Sequence, residues 1–115
     1  MGNERRQSAE LLPGSVDLLI LKALVSGPRH GYAIAKYIRD ASNEALSMGE
    51  SSLYTALQRL LLSNWVRAEW GASENNRRAR YYTLTAAGRK HFVAELDHWQ
   101  RLSRAINLVL QVTTA

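Results

Sequence analysis

Cysteine is absent from the 115 residues. That excludes disulfide staples, thiolate zinc sites, iron–sulfur clusters and a cysteine nucleophile, and it fits a reducing compartment. Long apolar runs are missing too. The first apolar stretch, Val16 to Val25, is broken by Asp17 and Lys22, and a bilayer span needs about 20 apolar residues. Met1 to Glu10 is polar and charged, unlike a secretory leader. A soluble, cytoplasmic protein without membrane contact is the expectation. At 12.9 kDa the chain can build one core and not two. The signatures of catalysis are lacking as well: there is no Gly-rich phosphate loop, no Ser-x-x-Lys, and no nucleophile at a recognised spacing from the three histidines. No enzyme activity, cofactor or metal is expected.

What is present is positive charge with a location. The net charge is +5. Between Ser51 and Lys90 stand seven basic residues (Arg59, Arg67, Arg77, Arg78, Arg80, Arg89, Lys90) and two acids, Glu69 and Glu74. The other 75 residues hold eight of each sign. The whole surplus therefore lies in one internal stretch, which implies a polyanionic partner met by that stretch.

Pro13-Gly14 marks a turn, and Ser15 is the expected N-cap of a helix reaching about Val25. That helix is apolar nearly all round, so it needs cover on more than one side, one of which a second subunit could supply. Gly27-Pro28 ends it. A second helix is expected from about His30 to Ala41, and a third from Ser51, read as its cap. In the third, Leu53, Leu57, Leu60 and Leu61 form one stripe, with Ser51, Ser52, Thr55, Gln58 and Arg59 on the other side. Period-two alternation in Val66–Trp70 and Tyr81–Leu84, around the polar run Gly71–Asn76, predicts a β-hairpin. Thr85 should cap a last helix running to about Val112, roughly 40 Å long, whose first turn Gly88 weakens. Along it Phe92, Leu96, Trp99, Ser103, Ile106 and Leu110 recur at heptad spacing, with Leu102 and Val109 beside them. A body of three helices and a hairpin cannot cover so long a stripe, which predicts a homodimer.

Three helices followed by an arginine-bearing hairpin is the element order of a winged helix-turn-helix. In that design the helix before the hairpin enters the major groove, and the wing meets flanking backbone or minor groove. The expected fold is mainly α (α+β), with a two-stranded β-wing and a long C-terminal dimerisation helix. The expected division is a flexible arm over 1–11, a DNA-binding domain over 12–84 and a dimerisation helix over 85–115.

Four segments in order, L-P-G-S-V-D-L-L-I-L from Leu12, G-P-R-H-G-Y-A-I from Gly27, S-S-L-Y-T-A-L-Q-R-L from Ser51 and R-Y-Y-T-L-T-A-A-G from Arg80, resemble the PadR-like transcriptional regulators. The likeness runs from Leu12 to about Leu110, in the short form with a single C-terminal helix. It implies a homodimer on an inverted-repeat operator of double-stranded DNA, with repression relieved by a small aromatic or phenolic molecule. Ser51, Ser52, Tyr54 and Thr55 fall where family members touch bases and phosphates, and Gln58 and Arg59 continue that side. Arg77, Arg78 and Arg80 are the expected wing contacts, with Lys36 and Arg39 as lesser phosphate contacts. A plainer role for Ser51 and Ser52 is capping alone, and for Tyr54 packing on the second helix. Val16, Leu19, Phe92, Leu96, Trp99, Leu102, Ile106 and Leu110 are the expected dimer contacts. In some short members a tryptophan at the place of Trp99 stacks on planar ligands. Trp99 is thus either a ligand-binding residue, with Tyr32, Tyr37 and Val16 nearby, or an interface aromatic.

Two other readings compete. His91, Glu95 and His98 share one side of the last helix and could hold a metal, but the two histidines lie about 10 Å apart along the axis; a solvated polar face accounts for them better. A winged helix can also serve as a protein–protein adaptor, which calls for an uncharged or acidic wing and third helix.

Overall fold

The computed structural model describes residues 14–111. The expected arm over 1–11 and the end of the chain from Val112 lie outside them. The elements in order are α1 (Ser15–Ala23), β1 (Arg29–His30), α2 (Gly31–Ala41), α3 (Glu50–Leu62), β2 (Val66–Ala72), β3 (Arg78–Leu84) and α4 (Ala86–Leu110). The sheet has three strands in the order β1-β3-β2, all antiparallel, rather than the two expected. The added strand β1 pairs Arg29 with Tyr82 and His30 with Tyr81. Arg29 is anchored there by its Nε donating to the Ala23 carbonyl at 2.6 Å, across the turn that ends α1.

Both serine caps are corrected. Gly14 is the N-cap of α1 at φ 92, a left-handed conformation that glycine takes without steric cost, and Ser15 is the first helical residue. Gly49 is the N-cap of α3, so Ser51 and Ser52 lie inside the first turn and neither hydroxyl caps the helix. α1 also stops at Ala23, two residues before the expected Val25. The histidine and threonine starts are side-chain caps: His30 Nδ1 accepts from the Ala33 N–H at 3.2 Å, and Thr85 Oγ1 accepts from the Gly88 N–H at 2.9 Å. Each satisfies one of the orphan donors of a helix start.

The core lies where α1, α2 and α3 meet the base of the sheet. Ile20, Leu21, Ile34, Leu57, Leu60 and Val66 are almost wholly excluded from solvent. On α3 the buried positions are Leu53, Ala56, Leu57 and Leu60, one face of the helix. α1 packs on α2, α3 and α4, which covers most of its unbroken apolar circumference within one chain. The base of α4 closes the core through Phe92. The far half of α4 projects beyond the core, with Trp99, Leu102 and Ile106 each close to half exposed and Leu108, Val109 and Leu110 more so.

Candidate nucleic-acid interface

Burial of one face of α3 dictates what its other face presents. Ser51, Ser52, Tyr54, Thr55, Gln58 and Arg59 are all exposed. Extension of the helix to Glu50 adds one acid in the first turn, where it complements the helix dipole. Arg59 is engaged: its Nη2 donates to Asp17 Oδ1 of α1 at 2.5 Å. A base or phosphate must therefore compete with Asp17 for it. Tyr54 combines both expected roles. Its ring lies across the backbone of Gly31, where an added Cβ would stand 2.4 Å from the hydroxyl oxygen, yet 45% of the residue remains exposed. Glycine at 31 is what lets the α3 tyrosine rest on the N-terminus of α2.

The hairpin is longer than expected and its loop shorter. Its ladder runs from Val66 opposite Leu84 out to Ala72 opposite Arg78, and the tip is closed by the Ser73 N–H donating to the Arg77 carbonyl at 2.8 Å. Strand alternation places Val66, Ala68 and Trp70 with Leu84, Tyr82, Arg80 and Arg78 on one face. Near the core that face is buried, through Val66, Leu84 and Tyr82. Towards the tip it becomes aromatic and cationic: the Arg78 guanidinium lies 4.4 Å from the Trp70 ring centre, and that of Arg80 lies 5.9 Å from Tyr82. Tyr81, on the other face, donates its hydroxyl to the Ala72 carbonyl at 2.8 Å and ties the strands together. Arg77 stands exposed in the loop. Among the described residues none of these three arginines is in an ion pair.

Wing, α2 N-terminus and α3 enclose an open cleft of about 550 Å³, lined by His30, Tyr32, Tyr54, Trp70, Arg77, Arg78, Arg80 and Tyr82. Among the described residues Glu74 is the only acid that lines it. Its carboxyl is held below the ordinary value of 4.5 by its own backbone N–H and by His30 Nε2 at 3.5 Å. Because His30 Nδ1 already accepts the capping bond, a neutral imidazole carries its proton on Nε2, facing Glu74. Burial raises the Tyr82 phenol above its usual range. Sequence patterns did not mark His30 or Trp70 for this cleft, since they reach it through strand pairing and a helix start some 40 residues apart. A smaller hollow of about 350 Å³ joins Val16 and Asp17 to Ser51, Ser52, Thr55 and Arg59.

Other expected site residues fall elsewhere. Lys36 is exposed but bonded to Asp40 at 2.7 Å, which keeps that carboxyl below its usual range. Phe92 is 9% exposed and belongs to the chain's own core, so it is not free for a partner; Leu96, Val16 and Leu19 are partly buried against the same core. Tyr32 lines the wing cleft, and the Tyr37 ring is covered by the Arg29 guanidinium at 4.7 Å. His91, expected on a solvated face, is stacked on Trp65 with ring centres 3.5 Å apart and planes 11° from parallel. Among the described residues no helix is long and apolar enough to cross a membrane.

This architecture recurs in known proteins. A transcriptional regulator from Clostridium thermocellum superposes with a TM-score of 0.74 at 33% identity, over 82% of this chain and 91% of that one. A PadR family transcription regulator from Clostridium difficile does so with a TM-score of 0.73 at 28% identity, over 83% and 97%. An uncharacterised protein of Lysinibacillus sphaericus is 24% identical over 103 residues, spanning 90% of this chain and 94% of its own length. The model of the transcriptional regulator PadR-like family matches residues 20–94, from the middle of α1 through the cleft to the base of α4. The chain belongs to the PadR-like family of transcriptional regulators, which act by binding DNA and not as enzymes.

Proposed function

We propose that two copies of the chain form a repressor on an inverted-repeat operator, with residues 12–84 reading DNA and residues 85–115 joining the copies. Ser51, Ser52, Thr55 and Gln58 address base edges in the major groove, where hydroxyls accept or donate to either base type and an amide suits adenine. Tyr54, Arg77, Arg78 and Arg80 hold the sugar-phosphate strand that separates this groove from the next, with Lys36 and Arg39 at its margin. The observation that carries the reading is a cleft where Tyr54 of α3 meets three wing arginines that have no carboxylate partner among the described residues, beside the exposed, hydroxyl-rich face of the same helix. The cationic wing disfavours the adaptor alternative. The projecting half of α4 supports the homodimer, because Leu102, Ile106, Val109 and Leu110 are too many exposed apolar residues for a small soluble monomer. Trp99, about half exposed among them, is suited to stack on a planar aromatic effector that loosens the dimer's grip on DNA.

Selection from a random duplex pool tests this. Enrichment of inverted repeats with half-site centres about one helical turn apart is the expected result, and such a repeat should also occur upstream of the protein's own gene. A pool that stays random, or equal affinity for single strands, would overturn it. For the effector, planar aromatic acids should quench Trp99 fluorescence and release the duplex, and a Trp99→Leu variant should lose both responses.

A further inference from the structure

The first turn of α4 is fastened to the end of the recognition helix by backbone groups. Asn64, at φ 62, turns the chain sharply out of α3. The next residue, Trp65, receives the Thr85 N–H on its carbonyl at 3.1 Å, while Thr85 Oγ1 donates to the Asn64 carbonyl at 2.8 Å. One turn on, Gly88 lies so close that an added Cβ would stand 1.9 Å from the Trp65 carbonyl oxygen and 2.8 Å from its carbon. His91 then stacks on the Trp65 indole at 3.5 Å. Two helix ends more than 20 residues apart in sequence are thereby locked as one body. In sequence Gly88 reads as a weak helix residue; in the fold it is the one residue type that permits this contact.

We infer that Gly88, with Trp65 and His91, is a positioning joint that fixes the separation of the two recognition helices and so selects the half-site spacing. The inference rests on the α4-mediated dimer proposed above. Its force comes from leverage. Ordinary contact with the Trp65 carbonyl begins near 3.4 Å, so a methyl at Gly88 must move about 1.5 Å. Pivoting on buried Phe92, about 6 Å along the axis, the same tilt carries Ile106, about 21 Å beyond the pivot, through about 5 Å. One base-pair step is about 3.4 Å. A displacement of one methyl at the joint thus changes the span between recognition helices by more than a base pair, though no residue of the joint touches DNA.

The test uses the full chain, the selected operator, and duplexes whose half-site centres are moved by one and two base pairs in each direction. Wild type should show one preferred spacing. Gly88→Ala should lose about tenfold or more at that spacing, or prefer one shifted by a base pair or more, while affinity for an isolated half-site changes less than twofold and sedimentation still shows a dimer. His91→Ala, which removes the stack without a clash, should flatten the spacing profile and keeps the test decisive should Gly88→Ala not fold. A peaked wild-type profile retained by both variants overturns the joint alone. A wild-type monomer, or a wild type indifferent to spacing, overturns the dimeric reading and the joint with it.

Discussion

Replacing Arg77 and Arg78 by alanine removes two cations from each wing without touching the core. Both side chains are exposed and, among the described residues, free of ion pairs, and the folded-state loss is the Arg78–Trp70 stack at 4.4 Å, about 0.5–1 kcal/mol at an exposed site. On DNA the loss is larger. Two copies withdraw four cations from one operator, and each phosphate neutralised adds about 0.9 to the slope of log affinity against log salt. The slope should therefore become shallower by about 3.6. Between 50 and 200 mM KCl, wild type should lose about two decades of affinity more than the variant loses. Anisotropy of a labelled operator duplex across that salt range measures both quantities, and thermal melting checks the fold. A variant with an unchanged slope and unchanged affinity would show that the wing does not meet phosphate. A lowered affinity with an unchanged slope would assign these arginines to contacts other than ionic ones.

Four further outcomes follow from single contacts. Gly31→Ala pushes the Tyr54 ring off α2; stability should fall by about 1 kcal/mol, since a flexible ring can yield, while operator affinity falls at least about tenfold, and unchanged affinity would confine Tyr54 to packing. Leu60→Ala, at a residue with no exposure, should cost about 2–5 kcal/mol in urea unfolding, and a cost under about 1 would mean that the α3 stripe is not the core. Ile106→Glu, at an exposed site of one protomer, should leave the melting temperature of the monomer unchanged and abolish the dimer in sedimentation, because paired chains would bury carboxylates; a persistent dimer contradicts the α4 seam. The Glu74 carboxyl, lowered in the fold, supports the wing-tip contact at pH above its ordinary 4.5 and releases it as pH falls through the lower folded value. Carboxyl NMR titration should give a midpoint below 4.5, and a midpoint at or above it would refute the bonds from its own backbone N–H and from His30 together.

Elements written in local periodicity were legible from the residues. The α3 stripe, the alternating hairpin and the Thr85 cap are each set within a few positions of sequence, and each is found at its place. The helix starts at Gly14 and Gly49 were misassigned to serines because glycine leaves no side-chain signal, only a backbone conformation. β1 spans two residues, too few for alternation to register. The site was legible as a list of exposed donors but not as a cleft. Its walls meet through pairs distant in sequence, such as Tyr54 with Gly31 and His30 with Glu74, which neither periodicity nor composition encodes. Gly88 and His91 show the same limit: each has an ordinary helical context, and only the arrival of Trp65 gives it a role.

The face formed by α3 and the wing is the proposed seat of duplex DNA. Backbone hydrogen exchange with and without the selected duplex tests this most directly. Amides of Glu50–Leu62 and of the wing through Leu84 should slow on addition of DNA, together with the start of α2 at Gly31–Ala33, whereas Trp99–Leu110 of α4 should exchange as before. Protection confined to the far half of α4, or none anywhere at saturating duplex, would contradict it.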